Sequence, residues 1–247
     1  MRNPFDVSRR WPGRNVIALM FWWTFIAWVI RSFMKLAYRL RIEGVENVPE
    51  RGPIIYISNH QSHFDPPLIG SIVRDRPFSP MARDTLFKIP GLAWFMRTIG
   101  TIPLKRGGSG DKAALARALE ELHAGRTVLI FPEGTRTKDG AIGEFKPGVM
   151  LLVKRGMADV VPVAIEGVYD IWPAHSSCPG VRGTMMVKIG KRFMAEELLQ
   201  MDAKDALERM KREIEVMRLE LREKIRKRTG GTSPRQGVAD MPFWERK

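Results

Sequence analysis

The chain has 247 residues, 44% of them apolar and 28% charged, with a formal net charge of +14. That length buries a full core within one α/β domain carrying short appendages, and the single cysteine, Cys178, excludes an intramolecular disulfide and any multi-cysteine zinc site. The excess charge narrows the partners to nucleic acid or an anionic membrane. Residues 1–41 hold eight Lys/Arg against one acid, so half of the excess flanks the most apolar stretch. Neither a helix-turn-helix pattern nor an aromatic RNA-binding motif accompanies it, so membrane lipid is the expected partner and nucleic acid is not.

Residues 16–30 (VIALMFWWTFIAWVI) carry no charge but fall short of the roughly 20 residues that span a bilayer as a helix. Trp22, Trp23 and Trp28 suit the headgroup boundary, and Arg31, Lys35 and Arg39 follow at helical spacing. The segment therefore reads as an anchor entering the cytoplasmic leaflet with its basic side chains snorkelling, with a tilted single span as the second reading. A cleaved signal peptide is disfavoured because no small-x-small cleavage site follows the run. A buried core helix is disfavoured by its charged flanks.

Beyond Gly52, apolar runs alternate with helical segments, the pattern of a sheet covered by helices. Residues 53–58 (PIIYIS), 127–131 (TVLIF) and 160–165 (VVPVAI) read as buried strands, with 100–104 and 184–189 as further candidates for one mixed sheet. Residues 111–124 place Leu115, Ala118, Leu119 and Leu122 on one helical face, with Asp111 as cap and Gly125 as stop. Leu207, Met210, Ile214, Met217, Leu221 and Ile225 recur at intervals of three and four, which predicts a long amphipathic helix packed on the domain rather than a coiled coil. The tail after Arg228 has little to bury beyond Phe243 and Trp244 and is expected to be mobile. The predicted organisation is an anchor over 1–42, a single α/β domain over 43–228 with a mixed, mostly buried sheet covered by helices, and a tail over 229–247.

Residues 59–67 (NHQSHFDPP) follow a buried strand directly, which places them at the end of the sheet where open α/β folds build sites. His60 is the residue type suited to removing a proton near neutral pH, and Asp65 can fix its tautomer and stabilise the imidazolium. Five residues along a helix would set these side chains about 140° apart, so the pair meets only if the chain turns between them. Asp65 before Pro66 supports such a turn into a helix start. His63 is the weaker base because Asp65 is its only evident carboxylate. In isolation the same residues would serve as a strand end and a helix cap. Residues 131–136 (FPEGTR) follow a second buried strand: Pro132 and Gly134 enforce a turn, Arg136 presents a planar fork for phosphate, and Glu133 is assigned to orienting Arg136 or backbone groups.

With these blocks in view, the chain resembles the 1-acylglycerol-3-phosphate acyltransferase (lysophosphatidic acid acyltransferase) family. Its four blocks correspond here to residues 59–65 (NHxSxxD), 83–106, 131–136 (FPEGTR) and the proline-containing strand 160–163, in order and spacing across roughly residues 35–200. The resemblance implies a catalytic pair of His60 with Asp65 and an acceptor-phosphate site of Glu133, Gly134, Thr135 and Arg136. It adds Arg83, where the family often has lysine, and Arg106, the basic end of the second block. Residues 90–94 (PGLAW) depart from the family's aromatic pattern. The implied reaction moves an acyl group from acyl-CoA or acyl-carrier protein to a lysophospholipid at the cytoplasmic face of a membrane, with no cofactor and no metal.

Two other classes compete. A hydrolase using Ser58, Ser62 or Cys178 lacks a GxSxG elbow, and a non-catalytic lipid-binding module would keep the fold without the chemistry. Histidines at 60, 63, 123 and 175 supply no metal-ligand spacing.

Overall fold

The computed structural model describes residues 12, 17–99, 101–104 and 109–246. Helix α1 (Ile17–Tyr38) leads into β1 (Arg41–Glu43), β2 (Ile54–Ser58) and α2 (Asp65–Ile72). An excursion of β3 (Met81–Arg83), α3 (Pro90–Thr98) and β4 (Ile102–Leu104) precedes α4 (Ser109–His123) and β5 (Thr127–Ile130). The chain closes with α5 (Gly148–Gly156), β6 (Asp159–Glu166), α6 (Val168–Ile171), β7 (Met186–Ile189), α7 (Ala195–Leu199) and α8 (Ala203–Arg228).

The main sheet has the order β1-β7-β6-β2-β5. All its pairings are parallel except β6 with β7. Strand β2 is central and buried at every residue, which is why its sequence runs apolar without alternation. Its two faces feed two cores. Ile55 and Ile57 pack with Val128, Val160 and the inner faces of α4, α5 and α8; Ile54 and Tyr56 pack with Val161, Val163 and residues of α1 and α2. The long C-terminal helix buries Met210, Ile214, Met217, Leu221 and Ile225 against the sheet, as its periodicity predicts. The Asp202 carboxylate caps its start, accepting the Lys204 N–H at 2.8 Å.

Three expectations require correction. The candidate strand 100–104 does not join the main sheet: Ile102–Leu104 pairs with Met81–Arg83 in a separate two-stranded sheet. Pro103 removes a ladder donor from its middle, which confines such a strand to an edge. The boundary drawn at residue 42 falls inside β1, a paired strand, and Met34, Tyr38 and Leu40 belong to the core, so α1 continues into the domain. The segment 229–246 has much to bury in charge if not in apolar surface. It runs back along α8, with Arg222 bonded to Asp240, Arg246 to Glu215, and Ala239 enclosed.

Helix α1 is two-sided. Met20, Trp23, Ala27, Met34 and Tyr38 are buried, whereas Phe21, Phe25, Trp28, Phe33 and Leu36 are exposed. Trp23 therefore does not sit at a headgroup boundary but meets Phe78 edge-on, with ring centroids 6.1 Å apart. Gly70 of α2 lies against the indole, where a Cβ would make ordinary contact at 3.4 Å. Among the described residues no helix is long and apolar enough to cross a membrane.

Candidate active site

Strands β2 and β5 are parallel neighbours, so the loops leaving their carboxyl ends emerge side by side. The first begins with Asn59, whose side-chain amide closes on the Ile165 backbone, donating to its carbonyl and accepting from its N–H at 2.9 Å each. That clamp fixes the point from which His60 departs. The chain then turns so that Asp65, the first residue of α2, faces back. One Asp65 oxygen, Oδ2, accepts from the Gln61 N–H at 2.6 Å and the Ser62 N–H at 2.7 Å, and lies 2.7 Å from His60 Nδ1. The carboxylate is fully buried.

A buried carboxylate holding Nδ1 as donor leaves Nε2 with its lone pair, the form required of a base. Phe131 stacks on the imidazole at 4.0 Å between centroids, fixing the ring plane. His63 instead packs against Trp172, with centroids 5.2 Å apart. The serine candidates are engaged locally: Ser58 Oγ donates to the Asn59 carbonyl and Ser62 Oγ accepts from the Phe64 N–H. Cys178 is exposed.

The second loop is bonded to the first. Glu133 accepts the His60 N–H at 2.8 Å through Oε1 and the Gly143 N–H at 2.9 Å through Oε2. Of the two roles assigned to Glu133, orienting backbone is the one observed. Burial, above all, pushes its carboxyl up to about 7, against the pull of its two backbone donors. The Thr137 N–H closes the junction by donating to the His60 carbonyl at 2.8 Å. Gly134 turns in the left-handed region at φ 70°, and a Cβ there would meet Lys146 Nζ at 2.6 Å. Lys146 thus lies over the turn, a cation that the sequence blocks did not single out.

His60, Gly134, Thr135 and Arg136 open onto one cavity of about 590 Å³. Its far walls are apolar: Trp23, Ala27 and Ile30 of α1, Gly70 of α2, and Phe95 and Met96 of α3. The divergent stretch 90–94 supplies the start of α3, and Leu92 also faces the cavity. Arg136 Nη1 is buried and, among the described residues, has no hydrogen-bond partner. Arg136, which lines the cavity, carries the planar fork that suits a phosphate. Arg83 lies in β3, between the cavity-lining Ala82 and Thr85, but its side chain is outside the described residues, as is Arg106 altogether. Among the described residues no group of three His, Cys, Asp or Glu could hold a metal ion.

Sequence reasoning missed the supports: Gln61, buried beside His60, and Glu166 at the end of β6, which lies within reach of it. These residues are 105 positions apart, and only the parallel pairing of β2 with β6 brings them together.

The class that this architecture defines is an α/β domain whose imidazole, bonded to a buried carboxylate, lines a cavity that also holds an arginine and has apolar far walls. Comparison with known proteins carries this further. The Acyltransferase family model matches residues 39–166. A chloroplastic 1-acyl-sn-glycerol-3-phosphate acyltransferase of Arabidopsis thaliana is 36% identical over 62% of this chain and 43% of its own length. The 1-acyl-sn-glycerol-3-phosphate acyltransferase of Pseudomonas aeruginosa is 31% identical over 78% of this chain and 71% of its own. The crystal structure of the 1-acyl-sn-glycerophosphate (LPA) acyltransferase PlsC from Thermotoga maritima superposes with a TM-score of 0.66 at 27% identity, covering 91% of this chain and 85% of that one. The chain spans less than half the length of the plant relative. It belongs to the acyltransferase family, and within it to the 1-acylglycerol-3-phosphate acyltransferase group.

Proposed function

We propose that the protein transfers a fatty acyl group from acyl-CoA or acyl-carrier protein to the sn-2 hydroxyl of 1-acylglycerol-3-phosphate, giving phosphatidic acid. The observation that carries this reading is that His60, bonded to the buried Asp65 carboxylate, lines the same cavity as Gly134, Thr135 and Arg136. His60 Nε2 takes the acceptor proton as that oxygen attacks the thioester carbonyl. The tetrahedral intermediate then collapses, the carbon–sulfur bond breaks, and the imidazolium returns the proton to the departing thiolate. Asp65 holds the ring in its base tautomer and stabilises the cation between the two proton transfers. Arg136, with the backbone around Gly134, receives the acceptor phosphate, and the apolar walls receive hydrocarbon. No acyl-enzyme is required, which agrees with the Ser58 hydroxyl being donated to the Asn59 carbonyl.

The same reading places the protein at a membrane surface. Phe21, Phe25, Trp28, Phe33 and Leu36 of α1 expose an apolar face, and Trp94 of α3 is exposed as well. Arg31, Lys35 and Arg39 supply the cations for an anionic cytoplasmic leaflet. The test is to incubate the protein with a panel of lysolipids and both thioester donors and to resolve the products by mass. Phosphatidic acid as the dominant product supports the proposal; a different acylated lysolipid would reassign the acceptor. Lipid binding without thiol release would mark a non-catalytic module.

A further inference from the structure

The segment 229–246 and the two loops around His60 are joined by a buried cluster of charges. Glu166 is the hub. Its Oε2 accepts from Arg218 Nη1 at 3.0 Å and from Gln61 Nε2 at 3.4 Å, and its Oε1 accepts from Arg222 Nη1 at 2.8 Å. Arg218 then reaches Glu215 at 2.7 Å and the Ala239 carbonyl at 2.8 Å, while Arg222 reaches Asp240 at 2.7 Å. Gln61 uses both ends of its amide: Nε2 also contacts the Gly140 carbonyl at 3.3 Å, and Oε1 accepts the Tyr169 N–H at 3.2 Å. The residue next to His60 is thereby fixed on three sides.

A second arm leaves the same cluster. Arg246 spreads its guanidinium fork between Glu215, at 2.5 Å, and the Ile142 carbonyl, at 3.0 Å. The Ile142 carbonyl and the Gly143 N–H belong to one peptide unit, which is planar and rigid. That N–H donates to Glu133 at 2.9 Å, and Glu133 accepts the His60 N–H at 2.8 Å. A chain of three bonds and one rigid plane therefore runs from Arg246 to the backbone of the base. A peptide carrying a cation on its carbonyl is a stronger donor through its N–H, so the links reinforce one another.

We propose that segment 229–246 belongs to the catalytic apparatus, clamping both loops that hold His60, with Arg246 and Gln61 as positioning residues for the His60–Asp65 pair. Stability alone does not account for the arrangement. Glu166, Glu215 and Arg218 are all withdrawn from water, and buried ion clusters generally contribute no more than well-packed apolar residues would. What they supply is direction, and both of their outlets end on neighbours of the imidazole. Misplacing a reacting group by about 1 Å costs on the order of a hundredfold in rate.

The inference rests on the proposed acyl transfer for its kinetic arm only, so the test has a second readout. Arg246→Ala and Gln61→Met are compared with the parent for kcat, for KM of donor and acceptor, and for the downfield proton resonance of His60 Nδ1–H. Arg246 is partly exposed and the buried Glu215 keeps Arg218 as its partner when Arg246 is removed; Gln61→Met keeps side-chain volume and probes the other arm. The expected result is a kcat lower by roughly tenfold or more, with each KM within about twofold, and a His60 proton that broadens or exchanges faster in both variants. An unchanged resonance in both would overturn the proposal, whatever kcat does. A parent that shows the resonance but transfers no acyl group to any acceptor would remove the proposed reaction, and the positioning role would be decided by the resonance alone.

Discussion

Asparagine at position 65 keeps the size of the side chain and removes its charge. The Asp65 oxygen lies 2.7 Å from His60 Nδ1 and the carboxylate is wholly buried, so solvent does little to replace it. When the imidazole takes the acceptor proton, the new positive charge stands about 4 Å from the carboxylate. At an effective dielectric of about 20 that attraction amounts to about 4 kcal/mol, which corresponds to about a thousandfold in rate. The asparagine carbonyl can still accept the Gln61 and Ser62 N–H groups, so the loop keeps its path. Its amide nitrogen then occupies the place of Oδ1, which is buried and has no partner among the described residues. An unsatisfied donor there costs about 1–3 kcal/mol of stability. Thiol release from acyl-CoA at saturating acceptor, measured beside a thermal melt, should show kcat reduced about a thousandfold, little change in either KM, and a melting temperature lowered by several degrees. A folded Asp65→Asn protein with kcat within about fivefold of the parent would refute the general-base assignment.

Arg136→Ala should raise the acceptor KM by roughly ten- to a hundredfold, the worth of a charge-assisted bond, while the donor KM stays put; steady-state titration of each substrate separates the two. Glu133 should make stability fall with rising pH. Its folded pKa of about 7 lies above its ordinary 4.5, so the folded state holds the extra proton, and up to about 3 kcal/mol is lost between about pH 4.5 and pH 7. Melting curves across that window should lose much of this slope in Glu133→Gln, and an unaltered slope would contradict the assignment. Gly70→Val pushes methyl groups between Trp23 and the cavity, since even a Cβ there touches the indole at 3.4 Å. The preferred acyl chain should shorten, by about fourfold in kcat/KM per excluded methylene, in competition between donors of graded length.

The sequence made the central strands legible because β2 and β6 are buried enough to leave continuous apolar runs, and α8 because its apolar stripe is buried from Ala206 to Ile225. Strand β1 escaped notice: Arg41–Glu43 is three residues with charged ends, held by register against β7 rather than by apolar pattern. The tail was misread for a related reason. Arg222, Arg246 and Asp240 look solvated in a linear string, and only the fold supplies the opposite charges that draw them inside. At the site, the motif blocks singled out His60 and Arg136, which line one cavity, and Asp65, which is bonded to the imidazole. Spacing gave no route to the Glu133 bond across 73 positions, which depends on β2 and β5 ending together. The apolar run of α1 pointed to lipid, yet one face of that helix, with Met20, Trp23, Ala27, Met34 and Tyr38, is spent on the core.

The central claim, that the His60 imidazole is the base of an acyl transfer, is tested most directly by replacing it. Purified His60→Ala protein and the parent, matched for folding, would be given acyl thioester and 1-acylglycerol-3-phosphate, with the diacyl product quantified by mass. The account predicts steady product formation by the parent and at most about one ten-thousandth of that rate from the variant. Comparable rates from the two proteins would contradict it.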